Sequence, residues 1–116
     1  LVGTATLRHV ANRLSACLRQ IDTLARYGGD EFAILLTDTS PDAAATAAER
    51  IRETLAQSPY EDRDAGLRIT VTVSIGIACY PSDSRGRDAL VDLADKAMYR
   101  AKSLGRNRVA DAGAIE

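Results

Sequence analysis

Arg26-Tyr27-Gly28-Gly29-Asp30-Glu31-Phe32 is the stretch on which the reading of this chain turns. The mixed segment Asp22-Thr23-Leu24-Ala25 precedes it, and a strand-like run, Phe32-Ala33-Ile34-Leu35-Leu36, leads away from it. Adjacent glycines between two strand candidates predict a tight hairpin, because glycine reaches positive φ without a Cβ clash. Two carboxylates follow the turn directly. Bare backbone beside paired acids suits a place where a phosphorylated ligand comes close and a hard cation is held by oxygens. On local physics alone the same four residues also describe an ordinary polar hairpin.

Working outward, Leu7, Val10, Ala11, Leu14 and Leu18 recur at helical spacing and predict a helix over about residues 4–19. The hairpin strands then cover 22–27 and 31–37. Ser40-Pro41-Asp42 is a helix start, with a hydroxyl cap, proline at the first helical position and an acid in the first turn. Ala44, Ala47, Ala48, Ile51 and Leu55 form the buried stripe of that helix, and Glu49, Arg50, Arg52 and Glu53 are expected to face outward. Pro59 and Glu61-Asp62-Arg63-Asp64 read as a loop. From Leu67 to Ala78 apolar residues alternate strictly, which predicts one long strand with a single buried face. Pro81 to Arg87 is a loop, Leu90, Leu93, Ala94, Ala97, Met98 and Ala101 mark a helix ended by Gly105, and Arg108-Val109-Ala110 form a short last strand. The order predicts an α+β fold, an α/β sandwich of helices against a mainly antiparallel sheet.

Composition excludes several function classes. With 116 residues the chain is one domain, residues 1–116, with room for a single core. Fifteen Lys and Arg against sixteen Asp and Glu leave a net charge of −1, so no basic field draws in nucleic acid. Aromatics make up only 4% and Trp is absent, which removes a base-stacking platform. The apolar runs are too short to cross a bilayer, so no direct membrane contact is expected. Cys17 and Cys79 lack metal or redox spacing and read as reduced packing residues, as in a cytoplasmic protein. His9 stands alone on its helix and reads as a packing or surface residue rather than a catalyst. The chain opens on Leu1 and enters a helix within a few residues, as a piece of a longer polypeptide would.

The seven-residue stretch resembles the signature of the GGDEF family, the diguanylate cyclases. Thr72-Val73-Ser74-Ile75-Gly76-Ile77-Ala78 and Ala94-Asp95-Lys96-Ala97-Met98-Tyr99-Arg100-Ala101-Lys102-Ser103-Leu104-Gly105-Arg106-Asn107 match the same family pattern in the same order. The resemblance implies a palm-like sheet of the nucleotide-cyclase and polymerase type. It also implies that two GTP molecules, one on each domain of a homodimer, are joined into cyclic di-GMP with loss of pyrophosphate. In such a reaction, Asp30 is the catalytic acid that binds Mg²⁺ (or Mn²⁺) and helps activate the attacking hydroxyl. The resemblance likewise implies that Glu31 is the second catalytic acid, that Gly28 and Gly29 let the nucleotide approach, and that Lys102 and Arg106 hold the GTP phosphates. A cation near a helix C-terminus is also favoured by the helix dipole alone.

Arg19-Gln20-Ile21-Asp22 lies five residues before Gly28, the spacing of the family's Arg-x-x-Asp site for product feedback inhibition. Arg50 matches the secondary arginine of that site. An Arg fork suits guanine O6 and N7, and an Asp accepts from the guanine N–H edge. Without the resemblance, this pair would be a surface ion pair of little weight.

The family pattern begins upstream of Leu1, with a first strand carrying another metal acid, a guanine-reading Asn and a phosphate-binding Lys. The chain is therefore expected to be the later part of a domain lacking its first strand, and a poor enzyme by itself. Gly3-Thr4-Ala5-Thr6-Leu7 stands where the family has Gly-Asp-x-x-Leu, so Thr4 replaces a guanine-binding acid. The expected role is a cyclase domain fused to an upstream sensory domain in bacterial second-messenger signalling. The alternatives are a non-catalytic module that binds cyclic di-GMP through Arg19, Asp22 and Arg50 as a receptor, and a purely structural dimerisation module.

Overall fold

The computed structural model describes residues 3–114. Helix α1 (Thr4–Ala16) leads into strands β1 (Thr23–Gly28) and β2 (Glu31–Leu35), followed by helix α2 (Pro41–Ala56). Strands β3 (Tyr60–Asp62), β4 (Leu67–Ile69) and β5 (Ile75–Ile77) precede helix α3 (Arg87–Ser103), strand β6 (Val109–Asp111) and a 3₁₀ turn, Ala112–Ala114. The family of elements is the predicted mixture of helices and strands. The predicted sheet, however, consists of separate two-stranded pairs: β1 with β2 and β3 with β4 antiparallel, and β5 with β6 parallel.

Three boundaries depart from the sequence reading. Helix α1 stops at Ala16, not near residue 19, because Cys17 N–H already turns back to Leu14 O and Leu18 N–H to Ser15 O. The expected loop around Glu61 contains β3, which pairs with β4 in a hairpin. The expected long strand is divided. Its first part pairs with β3 and its last with β6, and Thr70–Ser74 between them joins no ladder among the described residues. Alternation reports which way side chains face, and it survives only beyond β4: Val71 and Val73 pack on the core without a paired neighbour, whereas Leu67 and Ile69, expected on the same buried face, are exposed.

Helix α2 starts as its sequence predicts, with the Ser40 hydroxyl accepting from Ala43 N–H at 3.2 Å and Pro41 in the first turn. Val10 and Leu14 of α1 meet Ile51 and Leu55 of α2 in the main core, with Leu24, Phe32 and Ile34 of the first hairpin beneath them. Ala44 and Ala48 face Ile77 and Cys79, and Ala97 and Ala101 of α3 close over Ala110. Gly76 allows that last contact. A Cβ there would lie 2.1 Å from Ala94 O and 2.3 Å from Met98 N, so α3 rests directly on the β5 backbone. Arg52, expected to face outward, is half-buried. His9 is a packing residue: its Nε2 lies 2.7 Å from Ser58 O and its ring sits 5.6 Å from that of Tyr60. Both cysteines are free, and burial pushes the Cys79 thiol pKa up, with Asp111 and Asp83 adding to the shift.

Candidate functional site

The diglycine turn forms as the sequence predicts, though not for the predicted reason. Gly28 pairs with Glu31 and Arg26 with Phe32, so Tyr27 is an extra residue in β1 and Gly29-Asp30 make the two-residue tip. Neither Gly28 nor Gly29 has positive φ. A Cβ on Gly29 would meet nothing within 4 Å, and one on Gly28 only Glu31 Oε1 at 3.8 Å. The fold itself therefore makes no demand for glycine at either position. Asp30 is exposed at the tip and Glu31 half-buried beside it.

Arg26 holds the turn, a role with no local signal, since an Arg in an exposed strand reads as solvated charge. Its Nε donates to Gly29 O at 3.1 Å and to Gly28 O at 3.4 Å, and Nη2 also donates to Gly29 O. These bonds occupy the carbonyls of the turn. Arg26 also lines a cavity of about 360 Å³ between α1 and the hairpin, with Thr4, Arg8 and Phe32 in its walls. The helix position where the resemblance places a guanine-binding acid thus opens onto the same space as the residue clamping the turn.

Arg19, Asp22 and Arg50 are brought together. Asp22 N–H donates to Arg19 O at 3.0 Å and Arg19 N–H to Asp22 Oδ2 at 2.9 Å, a reciprocal closure just after α1. The side chains pair as a fork, Nε to Oδ2 at 3.2 Å and Nη2 to Oδ1 at 2.9 Å. Arg19 Nη2 also donates to Thr37 O and Thr39 Oγ1, tying the corner to the chain beyond β2. The Asp22 side chain is only 3% exposed and the Arg19 side chain 53%. Hydrogen bonding to Arg19 holds the Asp22 carboxyl below the usual range, and the same contact raises the Arg19 guanidinium. Arg50 comes from α2, its Nη2 donating to Cys17 O at 3.1 Å. All three line one cavity of about 330 Å³.

Lys102 and Arg106 lie together at the end of α3, Lys102 half-buried and Arg106 exposed. Among the described residues, no hydrogen bond or ion pair joins either to the hairpin turn. Nor do the described residues contain a group of three or more His, Cys, Asp or Glu able to hold a metal ion. Asp30 and its neighbour Glu31 thus do not make a Mg²⁺ site by themselves. They fit the ion only as it is held on a nucleotide, where one or two carboxylates suffice beside phosphate oxygens and water. No helix among the described residues is long and apolar enough to cross a membrane.

Helices laid on paired strands, with an acid-bearing diglycine turn exposed at the tip of one pair, define a GGDEF-type domain. The chain belongs to that family: the sequence model described as diguanylate cyclase, GGDEF domain, matches residues 1–108. It is 43% identical over 109 residues to diguanylate cyclase A of Treponema denticola, covering 92% of this chain and 28% of that protein. In structure it resembles the GGDEF domain of YfiN (TpbB) from Pseudomonas aeruginosa, with a TM-score of 0.86 and 37% identity, covering 92% of this chain and 66% of that one. It also resembles the GGDEF domain of DgcB from Caulobacter crescentus in complex with c-di-GMP, with a TM-score of 0.82 and 31% identity, over 93% of this chain and 63% of that one. The chain therefore spans well under half the length of the curated relative and about two thirds of the solved domains.

Proposed function

We propose that this chain is the cyclase module of a diguanylate cyclase, which condenses two GTP molecules into cyclic di-GMP and pyrophosphate. The observation that carries this reading is the diglycine turn. Its backbone is open, its conformation needs no glycine, and two carboxylates stand at its tip and directly after it, so its bare backbone is free to meet something that approaches from outside. A nucleotide phosphate fits that description, with Asp30 and Glu31 placed to receive the proton of an attacking 3′-hydroxyl. Bound Mg²⁺ would neutralise phosphate charge there. Lys102 serves as a point charge and Arg106 as a fork for the outer phosphates. The reaction joins two nucleotides, so two domains facing each other as a homodimer satisfy it. An upstream sensory domain would control that pairing, and the supply of GTP places the reaction in the cytoplasm.

Arg19, Asp22 and Arg50 form the inhibitory product site in this reading. A cavity of about 330 Å³ lies at the small end of ligand pockets, room for one guanine rather than a whole dinucleotide. Much of the Arg19 fork is already engaged, so the ligand meets its exposed guanidinium face and Arg50. The assembled cavity, together with Thr4 in place of a carboxylate, favours a second reading in which the module only binds cyclic di-GMP as a receptor.

The native gene product carrying these residues separates the two. Under the cyclase reading it converts GTP with Mg²⁺ into cyclic di-GMP, and Asp30→Ala lowers turnover by at least about a hundredfold without changing the melting temperature. No turnover, with calorimetric binding of cyclic di-GMP weakened about tenfold by Arg19→Ala or Arg50→Ala, selects the receptor. Neither turnover nor binding by a folded protein overturns both.

A further inference from the structure

Helix α3 ends in an unusual run of backbone. Gly105, Arg106 and Asn107 all have positive φ, at 126°, 62° and 50°. Glycine adopts such values freely and asparagine tolerates them, whereas for arginine the Cβ crowds its own backbone. Backbone held this way persists only where the surroundings impose it.

Three contacts do so. Arg106 N–H reaches back to Ala101 O at 3.0 Å, ending the helix. Arg108 Nε donates to Arg106 O at 3.2 Å. The third comes from another helix: Arg52 Nη1 of α2 donates to Asn107 Oδ1 at 3.0 Å. Arg52 is itself braced. Its Nε donates to both Glu49 carboxylate oxygens, at 3.0 and 3.1 Å, and Nη2 pairs with Glu49 Oε2. The Arg52 side chain is 18% exposed, so this is a fork clamped on one edge by its own helix and presenting the other edge to the loop. Arg106, by contrast, is exposed, and no partner for its guanidinium is found among the described residues.

We infer that Arg52, braced by Glu49, is a positioning residue for Arg106. By anchoring Asn107 it fixes the left-handed loop and thereby the direction in which the Arg106 side chain leaves the protein, toward the outer phosphates of a nucleoside triphosphate. The inference rests on the reading of Arg106 as a phosphate-binding residue. Fixing the backbone while leaving the side chain unoccupied lowers the ordering needed when the ligand arrives. The clamp also gives α2 two tasks, because Arg50 on the same helix lines the Arg19 cavity.

The test uses the native gene product with GTP and with GMP, which lacks the outer phosphates. Arg52→Met keeps the apolar stem and removes the donors. It is expected to weaken GTP binding about tenfold and leave GMP binding unchanged, raising KM with kcat within about twofold. The amide–Hα coupling constant of Arg106, measured by NMR, is expected to change in Arg52→Met as its φ leaves the left-handed region. Arg52→Lys, which can still donate one bond, should recover part of both effects. Equal weakening of GTP and GMP, or wild-type GTP affinity together with an unchanged Arg106 coupling, overturns the inference. If the wild-type protein does not prefer GTP over GMP, the cyclase reading fails instead, and the Arg106 coupling in Arg52→Met still decides whether Arg52 sets the loop.

Discussion

Gly76 and the pair Gly28-Gly29 stand in two segments that look alike on paper, each a glycine within a strand-rich, family-like stretch. Their surroundings are opposite. Beside Gly76 the space for a side chain is filled by the backbone of α3, whereas beside Gly29 it is empty. At Gly76 the chain's own packing dictates the residue. At the turn nothing in the chain does, which makes the turn the place to look for a ligand. A glycine that the fold does not need says more about function than one that it does.

The sharpest test of this contrast is Gly76→Ala. Its Cβ would have to displace helix backbone rather than a flexible side-chain end, so destabilisation of about 3 kcal/mol or more is expected, at or beyond the upper end for overpacking. A urea titration would show the midpoint fall, and an unchanged midpoint would break the comparison at its stronger end. Gly29→Ala should behave in the opposite way. Its effect on stability should stay within about 0.5 kcal/mol, as for an ordinary surface change, while GTP affinity drops about tenfold. A stable variant with undiminished GTP binding would return the turn to the class of ordinary hairpins.

The Arg19–Asp22 corner lies between these extremes, satisfied by its own chain yet open to solvent, and pH sharpens its place. The Asp22 carboxyl is held below its ordinary value of 3.8, so the ionised form is favoured by folding. The pair's stabilising contribution is complete above that value and is lost as pH falls through the lowered one. The difference in urea midpoint between wild type and Asp22→Asn should therefore be steady near neutrality and shrink below about pH 3.8. A difference that instead persists in stronger acid would assign the effect to shape rather than charge.

These contrasts also mark how far the sequence could be read. The start of α2 and the end of α3 were legible because Ser40-Pro41 and Gly105 act locally, through caps a few residues long, whereas the hairpin stands where Gly28-Gly29 predict it although neither glycine takes the positive φ expected of it. The family and the acids at the turn were legible for a similar reason, since they sit in contiguous stretches. Long-range pairing was not. Val71 and Val73 keep the alternation of a strand, but whether a neighbour donates to their backbone is decided by distant chain. Arg26 and Arg52 were missed for the same cause: each is a charged residue on a nominally outer face, whose importance lies in which carbonyl or amide it happens to reach.

The parallel pairing of β5 with β6 has a bearing on how the chain is made. The edge of β5 finds its partner only after the whole of α3 has been synthesised, because Ile75 pairs with Val109 and Ile77 with Asp111. At about 5–20 residues per second, that edge waits on the order of a few seconds on the ribosome. During this interval the backbone of Ile75-Gly76-Ile77 is uncovered on the side that Ala94 and Met98 will later occupy. A nascent chain halted before residue 109 would leave a short apolar strand edge exposed, and would be a natural substrate for chaperones.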